Sequence, residues 1–164
     1  MYRRAQGGRP PNRPGKPASQ TGRANRRPAG PTRQAGEVRN PSTAWAEVTI
    51  DCREPDRLAR FWSGLLGVDV APPPLPGWAR TTPTVAGGPV LNFQPVPEPK
   101  RGKSRLHLDL WTDDLAFTVG WVRDNGGNYT GEAHVYDEGT VAVMTDPEEN
   151  EFCVVGPAGS PPPG

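Results

Sequence analysis

The residues best placed to do chemistry share one short run, 105–112, which reads Arg-Leu-His-Leu-Asp-Leu-Trp-Thr. Leu106, Leu108 and Leu110 alternate with His107, Asp109 and Trp111, the pattern of a strand with one face on a core and the other lining something polar. A His, an Asp and a Trp on one strand face can hold a polar ligand against an aromatic wall. An imidazole also takes up a proton near neutral pH when a carboxylate orients it. His107 is therefore the candidate general base, with Glu47 or Asp109 as its carboxylate partner.

The elements that must position these residues come from an internal repeat. An offset of about 60 residues lays Glu47-Val48-Thr49-Ile50 on His107-Leu108-Asp109-Leu110 and Gly67 on Gly127. Near the unit ends an offset of 59 pairs residues 91–94 with 150–153. In the first copy Ala46, Val48, Ile50 and Cys52 alternate with Glu47, Thr49 and Asp51, a strand with one polar face. Pro55 then suits the first turn of a helix, flanked by Glu54 and Asp56. Leu58, Phe61, Trp62, Leu65 and Leu66 form its apolar stripe, and Gly67 closes it. Strands near 68–70, 78–82 and 90–94, with a proline-rich loop over 72–76, complete a βαβββ unit.

In the second copy Asp113 or Asp114 can cap a helix whose apolar set is Leu115, Val119 and Val122. Taken alone, Leu115, Phe117, Val119 and Trp121 read equally well as a strand, and the repeat decides for a helix. Strands near 129–136, 140–145 and 151–155 follow, with 146–150 as the turn before the last. The fold class is thus α+β, two βαβββ modules in tandem. The domain spans 43–156, with module one at 43–99 and module two at 104–156. Residues 1–42 form a tail and 157–164 a frayed end.

Strand parity places Glu47, Thr49, Asp51, Asn92, Gln94, His107, Asp109, Trp111, Cys153 and Val155 opposite the apolar face, so one cavity has a polar lining. Each of these groups could instead be satisfied by its neighbours across the strands. Arg105 joins Lys100, Arg101 and Lys103 in the connection between modules. That cluster is either a solvated linker or a guard at the cavity mouth favouring an anionic molecule. Cys52 and Cys153 fall on opposite faces of the sheet, too far apart in direction for a disulfide. Cys153, between Phe152 and Val154, reads as inert rather than nucleophilic. His134 has no partner visible in the sequence.

Residues 1–40 carry nine Arg and one Lys against Glu37, or +9, which leaves nine basic and 17 acidic residues, or −8, for the remainder. After Tyr2 this tail has no aromatic residue, so it cannot bury enough surface to offset an ordering entropy of about 1–2 kcal/mol per residue. It reads as disordered. No signal peptide, transit peptide or membrane-spanning run is apparent, and a soluble cytoplasmic protein, monomer or homodimer, is the expectation.

Four stretches resemble the vicinal oxygen chelate superfamily, which includes glyoxalase I, ring-cleaving dioxygenases and bleomycin-resistance proteins, and within it the small glyoxalase-like domain proteins. They are T-I-D-C-x-x-P-x-x-L-A-x-F-W from Thr49 to Trp62, F-Q-P-V-P-E-P-K from Phe93 to Lys100, R-L-H-L-D-L from Arg105 to Leu110, and D-P-E-E-N-E-F-C-V-V from Asp146 to Val155. The resemblance implies that the two modules form a curved mixed-sheet cup with the helices outside, each supplying half, with a metal inside held from the first and fourth strand of each copy. On this chain those places are Glu47, Gln94, His107 and Cys153. The usual set is two His and one or two Glu, which His107 matches and the other three do not. Glu149 also stands where the turn usually has Gly. The expectation is a domain without a bound cofactor, with a divalent metal at those four places as the alternative.

Two classes of function follow. In the first, the cup binds a small polar molecule, anionic if the linker cations face it, either as a lyase or isomerase of glyoxalase type or as a binding and sequestering protein. In the second, the domain is a non-catalytic interaction protein whose basic tail, residues 1–40, binds nucleic acid or another polyanion. Lacking interleaved aromatics, such a tail binds by charge alone, with an affinity that falls steeply with salt. The full chain should therefore retard short duplex DNA at low salt only, and residues 41–164 alone should not. Equal retardation by both would remove the tail from this reading.

Overall fold

The computed structural model describes residues 43, 44, 46–84 and 88–164. The tail expected at 1–42 lies outside them. The elements run β1 (Glu47–Cys52), α1 (Pro55–Leu66), β2 (Val70–Ala71), β3 (Ala79–Thr81) and β4 (Val90–Pro95), then β5 (Asp109–Trp111), α2 (Leu115–Asp124), β6 (Asn128–Val135), β7 (Gly139–Thr145) and β8 (Glu151–Pro157). Each half is one βαβββ unit. The strand orders are β1-β4-β3-β2 and β5-β8-β7-β6, with the first and last strands of each unit parallel and the other pairs antiparallel.

Both helices obey the local rules that predict them. Pro55 stands in the first turn of α1, and Gly67 ends it at φ 64. Asp114 caps α2, its carboxylate accepting from Phe117 N at 2.9 Å. Leu58, Ala59, Phe61 and Trp62 of α1 are buried together with Leu91 and Phe93 of β4 and Phe152 and Val154 of β8. The aromatic rings carry this core across the repeat, since Trp62 lies 5.0 Å from Phe152 and Phe61 5.7 Å from Trp121. Gly64 permits that approach, because a Cβ there would come within 2.7 Å of the Trp121 ring.

The turn at 146–150 binds the units together a second time. Asp146, 2% exposed, accepts from Trp62 Nε1 at 3.2 Å, from Glu148 N at 2.9 Å and from Asn150 through both its backbone and its amide. Glu148 then accepts from Arg53 N and Glu54 N at the start of α1, where Glu54 makes no side-chain cap of its own. The linker is pinned as well. Lys100 pairs with Glu151 at 3.0 Å, and Ser104 N donates to the same carboxylate. Burial pulls against ionisation of Glu151, but these donors outweigh it and bring the carboxyl down to about 2.

Three expectations are corrected. The strand expected from Arg105 starts at Asp109 and Leu106 is 68% exposed, because residues 105 and 106 bend where the pinned linker delivers the chain. The second strand is two residues long, Val70–Ala71, rather than 68–70. The C-terminal end is held rather than frayed, with Thr140 Oγ1 donating to Ser160 O at 2.6 Å and Arg123 to Gly164 O at 2.9 Å.

Glu149 has φ 67, the one non-glycine residue at positive φ among the described residues. The left-handed region costs a residue with a Cβ about 1–2 kcal/mol, and glycine gives back part of that gain as unfolded-state entropy. Replacing Glu149 by Gly should therefore raise stability by about 0.5–1 kcal/mol in urea denaturation. An unchanged or lower midpoint would show that this turn carries no such strain.

Candidate functional site

The apolar faces of both sheets turn to the helices, so their polar faces turn away from them. On sheet one, Thr49 stands opposite Asn92 and Asp51 opposite Gln94 across the parallel β1/β4 ladder, and Arg80 of β3 stands opposite Asn92. Directly paired residues project to the same side, so these five share one face. Asn92 donates its amide to the Glu47 carboxylate and is 1% exposed. Its Oδ1 has no partner among the described residues, and neither has the enclosed Arg80 Nε.

On sheet two, Asp109 stands opposite Cys153, and Trp111 lies in a row with Val155, Val141 and His134 across four strands. Trp111 is 74% exposed. His107 precedes β5, is exposed, and makes no hydrogen bond to a described carboxylate. His134 does have such a partner, Glu132 Oε1 at 2.9 Å, and its ring lies 6.4 Å from that of Tyr136.

Most of the expected face is therefore open to solvent: Glu47, Thr49, Asp51, Asp109 and Trp111 are exposed like His107, while Gln94 and Cys153 are half-buried. Arg105 and Thr49 line a cleft of about 260 Å³ between β1 and the approach to β5. Asp51 lines another of about 420 Å³ with Arg101 and Lys103. A third, of about 460 Å³, is mainly apolar and runs from Leu65 and Leu66 past Leu110 to Trp111. Lys100, by contrast, is engaged by Glu151 and serves the linker.

The register revises the equivalence between modules. Val90 stands opposite Glu47, and Glu151 opposite His107 once the Asp109/Cys153 pair is carried back two residues. Position 90 then answers to 151, and 92 to 153. The counterpart of Cys153 is Asn92, not Gln94, whose level on β1 is Asp51. Glu47 lies four residues from that level, about 13 Å along the strand. An offset of 59 read from similar residues misses this, because the loops before β4 and β8 differ in length.

The donors do not fit a divalent ion. Glu47 is engaged by Asn92, an amide is a weak donor, and the Cys153 thiol must lose a proton first. Burial pushes that thiol up to about 11, reinforced by Asp109 and Glu132, with Lys103 pulling the other way. No three His, Cys, Asp or Glu side chains gather at metal-binding distance among the described residues.

Arg80 and the His134/Glu132 pair are absent from the sequence-derived site. Arg80 was legible in principle, since Ala79 and Thr81, both buried, flank it in a period of two. Glu132 and His134 stand two residues apart on β6, so strand parity puts them on one face as well. Gly131, at φ 88, falls inside the Tyr129/Ala133 irregularity of the same strand, and a glycine within a strand is the sequence mark of such a bulge.

Two βαβββ modules with polar faces turned from the helices define the architecture of the vicinal oxygen chelate superfamily. The glyoxalase-like domain family model matches residues 47–155, and the chain belongs to that family. No curated protein matches the sequence. Among solved structures, a glyoxalase/bleomycin resistance protein/dioxygenase family enzyme from Burkholderia phytofirmans is similar at 17% identity and TM-score 0.56, covering 68% of this chain and 96% of its own. A glyoxalase-related enzyme from Fulvimarina pelagi is similar at 15% identity and TM-score 0.55, covering 69% and 87%. A Nocardioides protein of the first kind has 12% identity and TM-score 0.56, covering 79% and 91%. At these identities the likeness concerns the fold.

The thiols give a direct check on the face. Cys52 is buried on the opposite side, donates to Gln94 O at 3.7 Å, and is pushed up to about 12 by burial and then by Glu148, Asp146 and Asp51. A thiol near 11 holds roughly 300-fold less thiolate at neutral pH than free cysteine. Iodoacetamide should label the native protein slowly at pH 7, about tenfold faster per pH unit up to 10. Fast labelling with a plateau below pH 9 would contradict the environment assigned to Cys153.

Proposed function

We propose that this domain binds a small polar molecule on the strand faces turned from the helices, without a metal. The observation that carries this reading is that polar groups of the face are not used up by the described residues: the buried Asn92 Oδ1 and the Arg80 Nε lack partners among them, although the buried Asp146 is fully engaged. Trp111 supplies an exposed aromatic surface on the other sheet. Glu47, Thr49, Asp51, Asn92, Gln94, Asp109, Trp111 and Arg105 are the contacts in this reading. His107 is the group that takes a proton if the domain is a lyase or isomerase, and Asp109, two residues on in sequence, opens the strand that follows it. Without that step the same face serves to bind and sequester.

A second reading is favoured by the charge split, +9 in residues 1–40 against −8 in the remainder. There the tail binds a polyanion and the domain has no chemistry of its own.

A panel of small carboxylates, amines and sugars, titrated into labelled protein and followed by amide chemical shifts, tests the first reading. At least one compound should shift residues of β1, β4, β5 and β8. Glu47→Ala and His107→Ala should weaken it several-fold while metal content, measured by elemental analysis, stays well below one equivalent. Stoichiometric zinc, nickel, manganese or iron lost on replacing His107 would overturn the metal-free reading, and a panel without effect on those strands would overturn the site.

A further inference from the structure

Resting on that reading, one residue narrows the class of ligand. Arg80 lies in β3 between Ala79 and Thr81, 3% and 1% exposed, so its side chain leaves on the polar face. No ion pair joins it to a described residue, and its Nε is enclosed without an acceptor. A half-buried guanidinium with no counter-charge is unfavourable until an anion arrives, and its planar fork matches a carboxylate. Opposite it on β4 stands Asn92, one strand spacing away, about 4.8 Å. The Asn92 amide is committed to Glu47, which leaves Oδ1 as an acceptor with no donor among the described residues.

We propose that Arg80 and Asn92 together recognise a small carboxylate bearing a hydroxyl or ammonium group on the neighbouring carbon. The carboxylate takes the guanidinium fork, and the neighbouring donor takes Asn92 Oδ1. Glu47 has a positioning role, since it holds the Asn92 amide and so decides which atom of that side chain faces the ligand. The competing arrangement is internal, with Arg80 Nε turning to donate to Asn92 Oδ1 and no ligand involved.

Lactate and propionate differ only in the hydroxyl, and titrating both into the full chain, its Arg80→Gln variant and its Arg80→Lys variant separates the cases. Thermal melting of each variant confirms folding, and the arginines of residues 1–40 are common to all three. The wild type should bind lactate about tenfold more tightly than propionate, with shifts in β3 and β4. Arg80→Gln should weaken lactate by about tenfold or more, and Arg80→Lys by less. Equal binding of the two acids, or of inorganic phosphate and lactate, would overturn the hydroxycarboxylate class. Lactate binding unchanged in Arg80→Gln, with only the melting temperature altered, would overturn the role of Arg80 and leave the internal pairing. Failure of both acids beside binding of another compound in the panel would overturn this proposal alone, and failure of every compound would overturn the site as well.

Discussion

The carboxylate of Asp146 is buried in a place where burial alone would favour its neutral form, and burial does raise its pKa. It is held there by donors from Trp62, Glu148 and Asn150. Two of those donors shape its own turn, and the third, the Trp62 indole, belongs to the helix of the other module. Removing the acceptor would orphan a buried indole N–H and two backbone donors, a loss of about 1–3 kcal/mol for each group left unmet. With Glu148 seated on the start of the same helix, the turn grips α1 at two points about two helical turns apart.

That grip decides what the polar faces can be. Because α1 packs on β3 and β4 of its own unit and α2 on β6 and β8 of the other, with Trp62 reaching across to Phe152, each sheet presents its polar side away from its own helix. The repeat then sets levels along the strands. Glu47 and Asn92 meet diagonally across the β1/β4 ladder, two residues apart in register, and Asp109 and Cys153 stand directly opposite each other on sheet two. The carboxylate is occupied by an amide and the thiol stays protonated. The faces offer an arginine whose Nε has no partner among the described residues in one sheet and an exposed tryptophan with carboxylates in the other.

Much of this was legible in the chain. Pro55, the Leu58 to Leu66 spacing and Gly67 specify α1 by local rules, and the repeat resolves the ambiguous stretch around Phe117 in favour of a helix. Parity places Thr49, Asp51, Asn92, Asp109 and Trp111 on the right face, since a period of two survives any tertiary context that buries one side. Three things escaped. The bend at Leu106 follows from Lys100 and Ser104 gripping Glu151, a contact 47 or more residues away in sequence. The equivalence of Asn92 rather than Gln94 to Cys153 follows from hydrogen-bond register, which residue similarity does not encode. The inter-module grip of Asp146 and Glu148 needs the packed rings of Phe61 and Trp62, so the turn motif announces a hairpin but not its second role.

The claim on which the rest hangs is that Asp146 and Trp62 join the two modules into one cooperative unit. A double-mutant cycle on Asp146→Asn and Trp62→Phe, read by urea denaturation of the full chain, measures it. A single transition in all four proteins, with a coupling of about 1 kcal/mol or more between the two positions, is the result predicted. Additive effects within about 0.3–0.5 kcal/mol, or two separate transitions in the wild type, would contradict it.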